Sequence, residues 1–378
     1  MRVRILLTIY EELGLKSVIN AGGYFSNLGG SRMSAGVVRA MSEAADDLVE
    51  IPELSLKVGA VIAEITGAQD AVPTSGAAAG DALAVAACMV GMDRQRMMLL
   101  PNTDLVEKKE VIVQRPHYLA YEQMLRLSGA KIVEIGDLSK VEEWELEAAI
   151  NPKTAAVFCS GSSEAVRRAE LPYADVIRIA RKHNIPTIYD GADTLPPAHN
   201  LQRWITLGFD LVIFSGGKGI GGPGDTGFVC GRKDLIESCR VQNSPNDFFG
   251  RAFKVSKEHL VGLMVAIRNY SRRDHAQDMA AWIKKGEFIL QQMNAVPNVQ
   301  AYRVRDERGT RLRIVLDEAK LGTTAKEVIM QLRRGSPPIA TDPFRQSLGI
   351  ITIDTVLLRD GEEEILVNRL RELLKVAK

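Results

Sequence analysis

The stretch DLVIFSGGKGIGGPGDTGFVCGR, residues 210–232, decides how the chain is read. Asp210 to Phe214 has the make-up of a short buried strand, Ser215 to Gly224 is a loop with six glycines, and Thr226 to Cys230 reads as a second strand. Lys218 therefore stands at a strand end. Glycines around it leave room for the backbone and a flat ligand to approach closely.

A lysine ammonium in a partly desolvated cleft loses its proton more readily, and the neutral amine can attack an aldehyde such as that of pyridoxal phosphate (PLP). The same residues also suit a solvated loop lysine. Gly217, Gly219 and Gly222 satisfy the G-x-G-x-x-G dinucleotide pattern. That pattern needs a helix to open at the loop, yet Pro223, Gly224 and the strand TGFVC follow instead. A Walker A loop is excluded because Gly219 stands where Ser or Thr should follow the lysine.

Working outward, 378 residues can bury a large core, as one large domain with a smaller one attached. The 48 basic and 47 acidic residues nearly cancel, so the charge balance calls for neither a nucleic-acid nor a membrane partner. The four cysteines, Cys88, Cys159, Cys230 and Cys239, lack C-x-x-C spacing, and three lie in apolar runs. We expect a reduced, cytoplasmic protein with neither structural disulfides nor a metal site. The N-terminal MRVRILLTIYEELG has too short an apolar run for a signal peptide, and nowhere is there an apolar segment of about 20 residues. A soluble protein is expected.

Upstream, SVINAGGYFSNLGGSRMS (17–34) is a short strand breaking into a loop that offers Asn20, Asn27 and Arg32 to a ligand, or forms a plain turn. Ser34 suits the N-cap of a helix through Ala45, and 51–67 reads as another helix. DAVPTSGAAAGDALAVAACMVG (70–91) is a strand, a small-residue turn and an alanine-rich helix. Ser75, Gly76 and Ala77 fall where that helix begins, so its first N–H groups can meet a phosphate, with Ser215 as a second ligand. An ordinary capped helix is the alternative.

Residues 110–136 have the spacing of a βαβ unit, with His117 and Tyr118 just past its first strand. His117 can contact a ligand there, or cap and pack. Another unit follows, with a helix over 140–150, strand 154–159 and the polar loop SGSSE (160–164). Asp190 ends the strand in IPTIYDGAD (185–193), where a carboxylate needs a cation or donors. A protonated pyridine nitrogen is one such partner, and a loop cap is another. From Asp234 the pattern is helical, then alternates again between short strands and helices to the C-terminus. In the loop RRGSPPIATDPFRQ (333–346), Arg333 or Arg345 can clamp a carboxylate, or merely face solvent.

The anion turn at 74–77, Asp190 after a strand and SGGK at 215–218 occur in the order found in fold-type-I PLP enzymes. More narrowly, VINAGG (18–23), NLGGSRMS (27–34), TSGAAAG (74–80), VQRPHYLAY (113–121), SGGKGIGGPGDTG (215–227) and LRRGSPPI (332–339) resemble the selenocysteine synthase-related family, and within it the D-glucosaminate-6-phosphate ammonia-lyase group. The resemblance spans nearly the whole chain. YDGAD after the strand and ATDPFR after PPI depart from the family's usual runs.

The resemblance implies an α/β fold, with a mostly parallel seven-stranded sheet flanked by helices and a smaller C-terminal α/β domain. It divides the chain into an N-terminal segment (1–48), a large PLP-binding domain (49–270) and a small domain (271–378). It implies that Lys218 bonds PLP, that Asp190 meets the pyridine nitrogen and that His117 stacks on the ring. Ser75, Gly76, Ala77 and Ser215 would hold the phosphate. Asn27, Arg32, Arg333 and Arg345 would face the substrate. The implied reaction is an α,β-elimination from a hydroxy amino acid or amino sugar acid, with Lys218 taking the Cα proton. Transamination, racemisation, aldol cleavage and selenocysteine synthase-like transfer share its first steps, and a non-catalytic PLP- or nucleotide-binding protein is a further reading. A homodimer or larger ring is implied. A tRNA partner is not expected, because the chain begins almost directly at VIN and has no basic tract.

Overall fold

The computed structural model describes residues 8–117, 122–161 and 169–374. Tyr118 and residues 162–164 of the polar loop lie outside the described residues. Contacts divide the chain into two compact units, residues 31–273 and residues 8–30 with 274–374.

In chain order the strands are β1 (Ile19–Asn20), β2 (Asp70–Thr74), β3 (Glu110–Gln114), β4 (Lys131–Ile135), β5 (Thr154–Ser160) and β6 (Thr187–Asp190). They continue with β7 (Leu211–Ser215), β8 (Gly227–Gly231), β9 (Val299–Arg303), β10 (Arg311–Leu316), β11 (Ile339–Ala340) and β12 (Ile350–Asp354). The larger unit is built on a seven-stranded sheet in the order β2-β8-β7-β6-β5-β3-β4. All neighbours pair in parallel except β8, which runs antiparallel to both β2 and β7.

The strands are near-continuous apolar runs because helices cover both faces. Val72, Val111, Ile188, Leu211, Ile213 and Val229 belong to one buried cluster, and Ile112, Val157, Tyr189, Val212 and Phe214 belong to the other. Helix Ala77–Val90 lies in the first cluster and is almost wholly buried, which is why its residues are small and apolar. The helix Ala35–Ala45, capped by Ser34, packs on helix Lys257–Arg272 within this same unit.

In the smaller unit, β9, β10 and β12 form an antiparallel sheet, and β1 pairs in parallel with β11. The turn after β1 is fixed internally. Asn20 donates through Nδ2 to the Gly23 carbonyl (2.9 Å) and accepts through Oδ1 from the Gly22 amide (2.9 Å), so its amide holds the turn. Among the described residues no helix is long and apolar enough to cross a membrane.

Candidate active site

The sheet register gathers one edge. Asp190, the last residue of β6, lies opposite Ile213 of β7 on one side and Ser160 of β5 on the other. Gly227, the first residue of β8, lies opposite Ser215 of β7 and Thr74 of β2. The carboxyl ends of the parallel strands thus carry Asp190, Ser215 and the loop to Lys218, and the anion turn adjoins them across the single residue Gly227.

That turn is open to a ligand. Gly76 caps helix Ala77–Val90 at φ 85°, with no side-chain hydrogen bond to the first-turn amides. Thr74 donates its hydroxyl to the Gly76 carbonyl (2.8 Å), which holds the turn in place. A Cβ on Gly227 would lie 2.6 Å from the Gly76 carbonyl carbon and 2.8 Å from the Ala77 nitrogen, so only glycine lets β8 pass behind the turn. Ser75, Gly76, Ala77 and Ser215 are all half-buried.

The Lys218 loop is folded on itself. The Gly216 amide donates to the Thr226 carbonyl (2.8 Å), the Gly222 amide to the Gly216 carbonyl (2.8 Å), and Ser31 to the Gly217 carbonyl through both its amide and its hydroxyl (2.9 Å each). A Cβ on Gly217 would stand 2.5 Å from the Gly224 Cα. The sequence suggests that these glycines clear space for a ligand; at Gly217 the absent side chain instead lets two arms of the loop meet. No helix opens there, since the chain passes directly into β8, and this excludes the dinucleotide pattern.

Lys218 itself is half-buried, and its ammonium makes no ion pair or hydrogen bond with the described residues. Asp190 accepts the Ala192 amide through Oδ1 (2.9 Å), while Oδ2 has no hydrogen-bond partner among them. Burial raises the Asp190 carboxyl above its ordinary range. The Ala192 amide and the Lys218 charge oppose that rise, and Asp193 adds to it.

His117, just past β3, meets Glu170: its Nε2 is in contact with Oε2 of the carboxylate. Tyr173 reaches the same oxygen (3.2 Å) and the Ser160 carbonyl (3.0 Å) through its hydroxyl. The Leu171 amide donates to Oε1 of Gln114 (2.6 Å), which ties this segment to the end of β3. Tyr173 is wedged edge-on against Tyr189, Trp204 and Phe209. The His117 side chain has no exposed surface. Glu170 and Gln114 are residues that sequence reasoning missed: no motif marks Glu170, and Gln114 lies within VQRPHYLAY without being singled out.

A third missed group is Asp81, inside the alanine-rich helix. It is buried, and its Oδ1 has no hydrogen-bond partner among the described residues. The signal was present, a lone carboxylate in the apolar run AAAGDALAVAAC.

The four residues assigned to substrate fall in different places. Asn27 is exposed in the short 3-10 turn Ser26–Leu28, Arg333 is exposed in the last turn of helix Ala325–Arg334, and Arg345 is half-buried before the 3-10 turn Gln346–Leu348; all three belong to the smaller unit. Arg32 is exposed in the larger unit, where a Cβ on Gly221 of the lysine loop would lie 3.6 Å from its carbonyl. A cavity of about 330 Å³ lined by Arg181, Asp210 and Arg232 opens at the amino ends of β6 and β7, the opposite edge of the sheet. Its Arg232 is already paired with Asp210 and Asp234.

The chain is similar to known proteins over nearly its whole length. The family described as SelA: L-seryl-tRNA selenium transferase matches residues 18–327. A 5'-C-glycyluridine monooxygenase-decarboxylase from a Streptomyces species is 35% identical over 97% of this chain and 92% of its own. The D-glucosaminate-6-phosphate ammonia lyase of Salmonella typhimurium is also 35% identical, over 98% of each chain. A solved D-glucosaminate-6-phosphate ammonia-lyase superposes with a TM-score of 0.84 at 34% identity, covering 98% of this chain and 99% of that one. The fold alone is shared with SPT solved with its PLP internal aldimine, at 13% identity and TM-score 0.63 over 94% of this chain and 87% of the other.

Proposed function

We propose, from the premise that the chain belongs to the SelA: L-seryl-tRNA selenium transferase family, that it is a PLP-dependent lyase removing the Cβ hydroxyl and the amino group from a hydroxy amino acid or amino sugar acid such as D-glucosaminate 6-phosphate. The observation that carries the reading is the sheet register, which sets an uncommitted lysine, a strand-end carboxylate and an open anion turn along one edge.

The residues fit the cofactor. The Gly76 turn is a cradle that a Cβ on Gly227 would disturb, Asp190 keeps Oδ2 for a ring nitrogen, and the Lys218 amine is uncommitted. When bound, PLP supplies a ring that draws electrons away from Cα. Lys218 would hold the cofactor at its aldehyde carbon through Nζ, and its amine would take the Cα proton. Asp190 would hold the ring nitrogen in its protonated form. Ser75, Gly76, Ala77 and Ser215 would bind the phosphate, and His117 would face the ring.

The Cα–H and Cβ–O bonds break and water leaves. Water then replaces nitrogen at Cα, so the net products are a 2-oxo acid and ammonia. For a sugar acid the product is a 2-keto-3-deoxy acid. Asn27, Arg32, Arg333 and Arg345 are the candidates for the substrate's polar groups. The reading places the protein in the cytoplasm as a homodimer or larger homo-oligomer without a nucleic-acid partner, and light scattering tests the assembly.

The 35% identity to a monooxygenase-decarboxylase supports a second outcome from the same edge, loss of carbon dioxide with oxygen consumed. Incubation with D-glucosaminate 6-phosphate under anaerobic conditions separates the two. Ammonia and an oxo acid in equal amounts support elimination. No ammonia without oxygen, and carbon dioxide with it, supports the second outcome.

A further inference from the structure

Asp81 sits one turn into helix Ala77–Val90, the helix whose first amides form the anion turn. Its neighbour Gly80 presses on the sheet, where a Cβ would lie 3.0 Å from Ile213 Cγ2, and Ile213 is the residue opposite Asp190. Asp81 is 2% exposed, and its Oδ1 is buried without a hydrogen-bond partner among the described residues. An ionised carboxylate in that position would carry a desolvated, unsatisfied charge beside a second carboxylate. A neutral acid avoids both costs.

We propose that Asp81 is a positioning residue that stays protonated behind Asp190, so that of these two carboxyls only Asp190 carries charge, where it can face the cofactor's ring nitrogen. The role assigned to the ring nitrogen rests on the PLP reading; the proton on Asp81 does not. Two carboxylates sharing a desolvated region do not both ionise, and the more deeply buried one retains its proton. Burial pushes the Asp81 carboxyl well above its ordinary range, the Asp190 charge pushes it further, and the Lys218 charge opposes them. Those two are the charged groups that act on it.

The test is infrared spectroscopy of the cofactor-free protein in deuterated buffer at pH 7 to 8, where solvated carboxyls are ionised. Wild type should show a protonated-carboxyl band that Asp81→Asn loses and Asp190→Asn keeps. A band lost in Asp190→Asn instead would move the proton to Asp190 and overturn the proposal, as would no such band in wild type. Wild type and Asp190→Asn decide the matter even if Asp81→Asn fails to fold. In the PLP-loaded protein, Asp81→Asn, which mimics the neutral acid, should keep the cofactor affinity and the pH dependence of the visible band within about twofold; a larger change would contradict a neutral Asp81. A protein that takes up no PLP would refute the cofactor reading while leaving the infrared result to stand or fall alone.

Discussion

Asp190 lies opposite Ile213 in the parallel pair β6–β7, and the chain runs from Ile213 in five residues to Lys218. A carboxylate and an amine from separate strands thereby reach one edge without pairing to each other at ion-pair distance. Each is left available to a ligand that bridges them.

Lys218→Ala should abolish the visible absorbance and lower turnover by at least the 10²–10⁴-fold typical of losing a positioned base. The fold should be unaffected, since the side chain makes no hydrogen bond or ion pair with the described residues. Steady-state rates and circular dichroism on one preparation check both halves.

Gly227→Ala should lower stability by roughly 1–3 kcal/mol, the usual cost of overpacking. The new methyl would press on Gly76 and Ala77 at 2.6 and 2.8 Å, so cofactor affinity should fall as well. Urea denaturation and PLP titration measure the two effects.

The Asp190 carboxyl gives a pH signature. Burial raises its value in the folded protein above that of the unfolded chain, so the native state binds more protons between the ordinary carboxylate range near 3.9 and that raised value. Its contribution to stability is full below this window and is lost as pH rises through it. Denaturation of the cofactor-free protein across that range should show the fall in wild type and a flatter profile in Asp190→Asn.

Arg345→Ala should raise KM about tenfold or more if its guanidinium makes charge-assisted bonds to the substrate. Arg333→Ala should change KM less, because Arg333 is an exposed helix-end residue. Initial rates over a substrate series compare them.

Much of the edge is legible in the sequence because strand ends are local events. The apolar run 211–214 stops at the glycine loop, and TIYD stops at a carboxylate. What the sequence does not carry is register between distant strands. That Gly227 sits between Ser215 and Thr74, or that Ile19 pairs with Ile339, follows from packing across the whole chain. Glu170 and Gln114 are invisible for the same reason, since Glu170 meets His117, and Gln114 meets the Leu171 amide, across more than 50 residues. The Gly217 contact reverses a local inference: a glycine that reads as ligand space is consumed by the loop's own closure.

The most direct test of the central claim is the absorbance spectrum of the purified protein with PLP, before and after borohydride, followed by peptide mapping. A visible band that disappears on reduction and a pyridoxyl group fixed on Lys218 are expected. A colourless protein, or a label on another lysine, would contradict it.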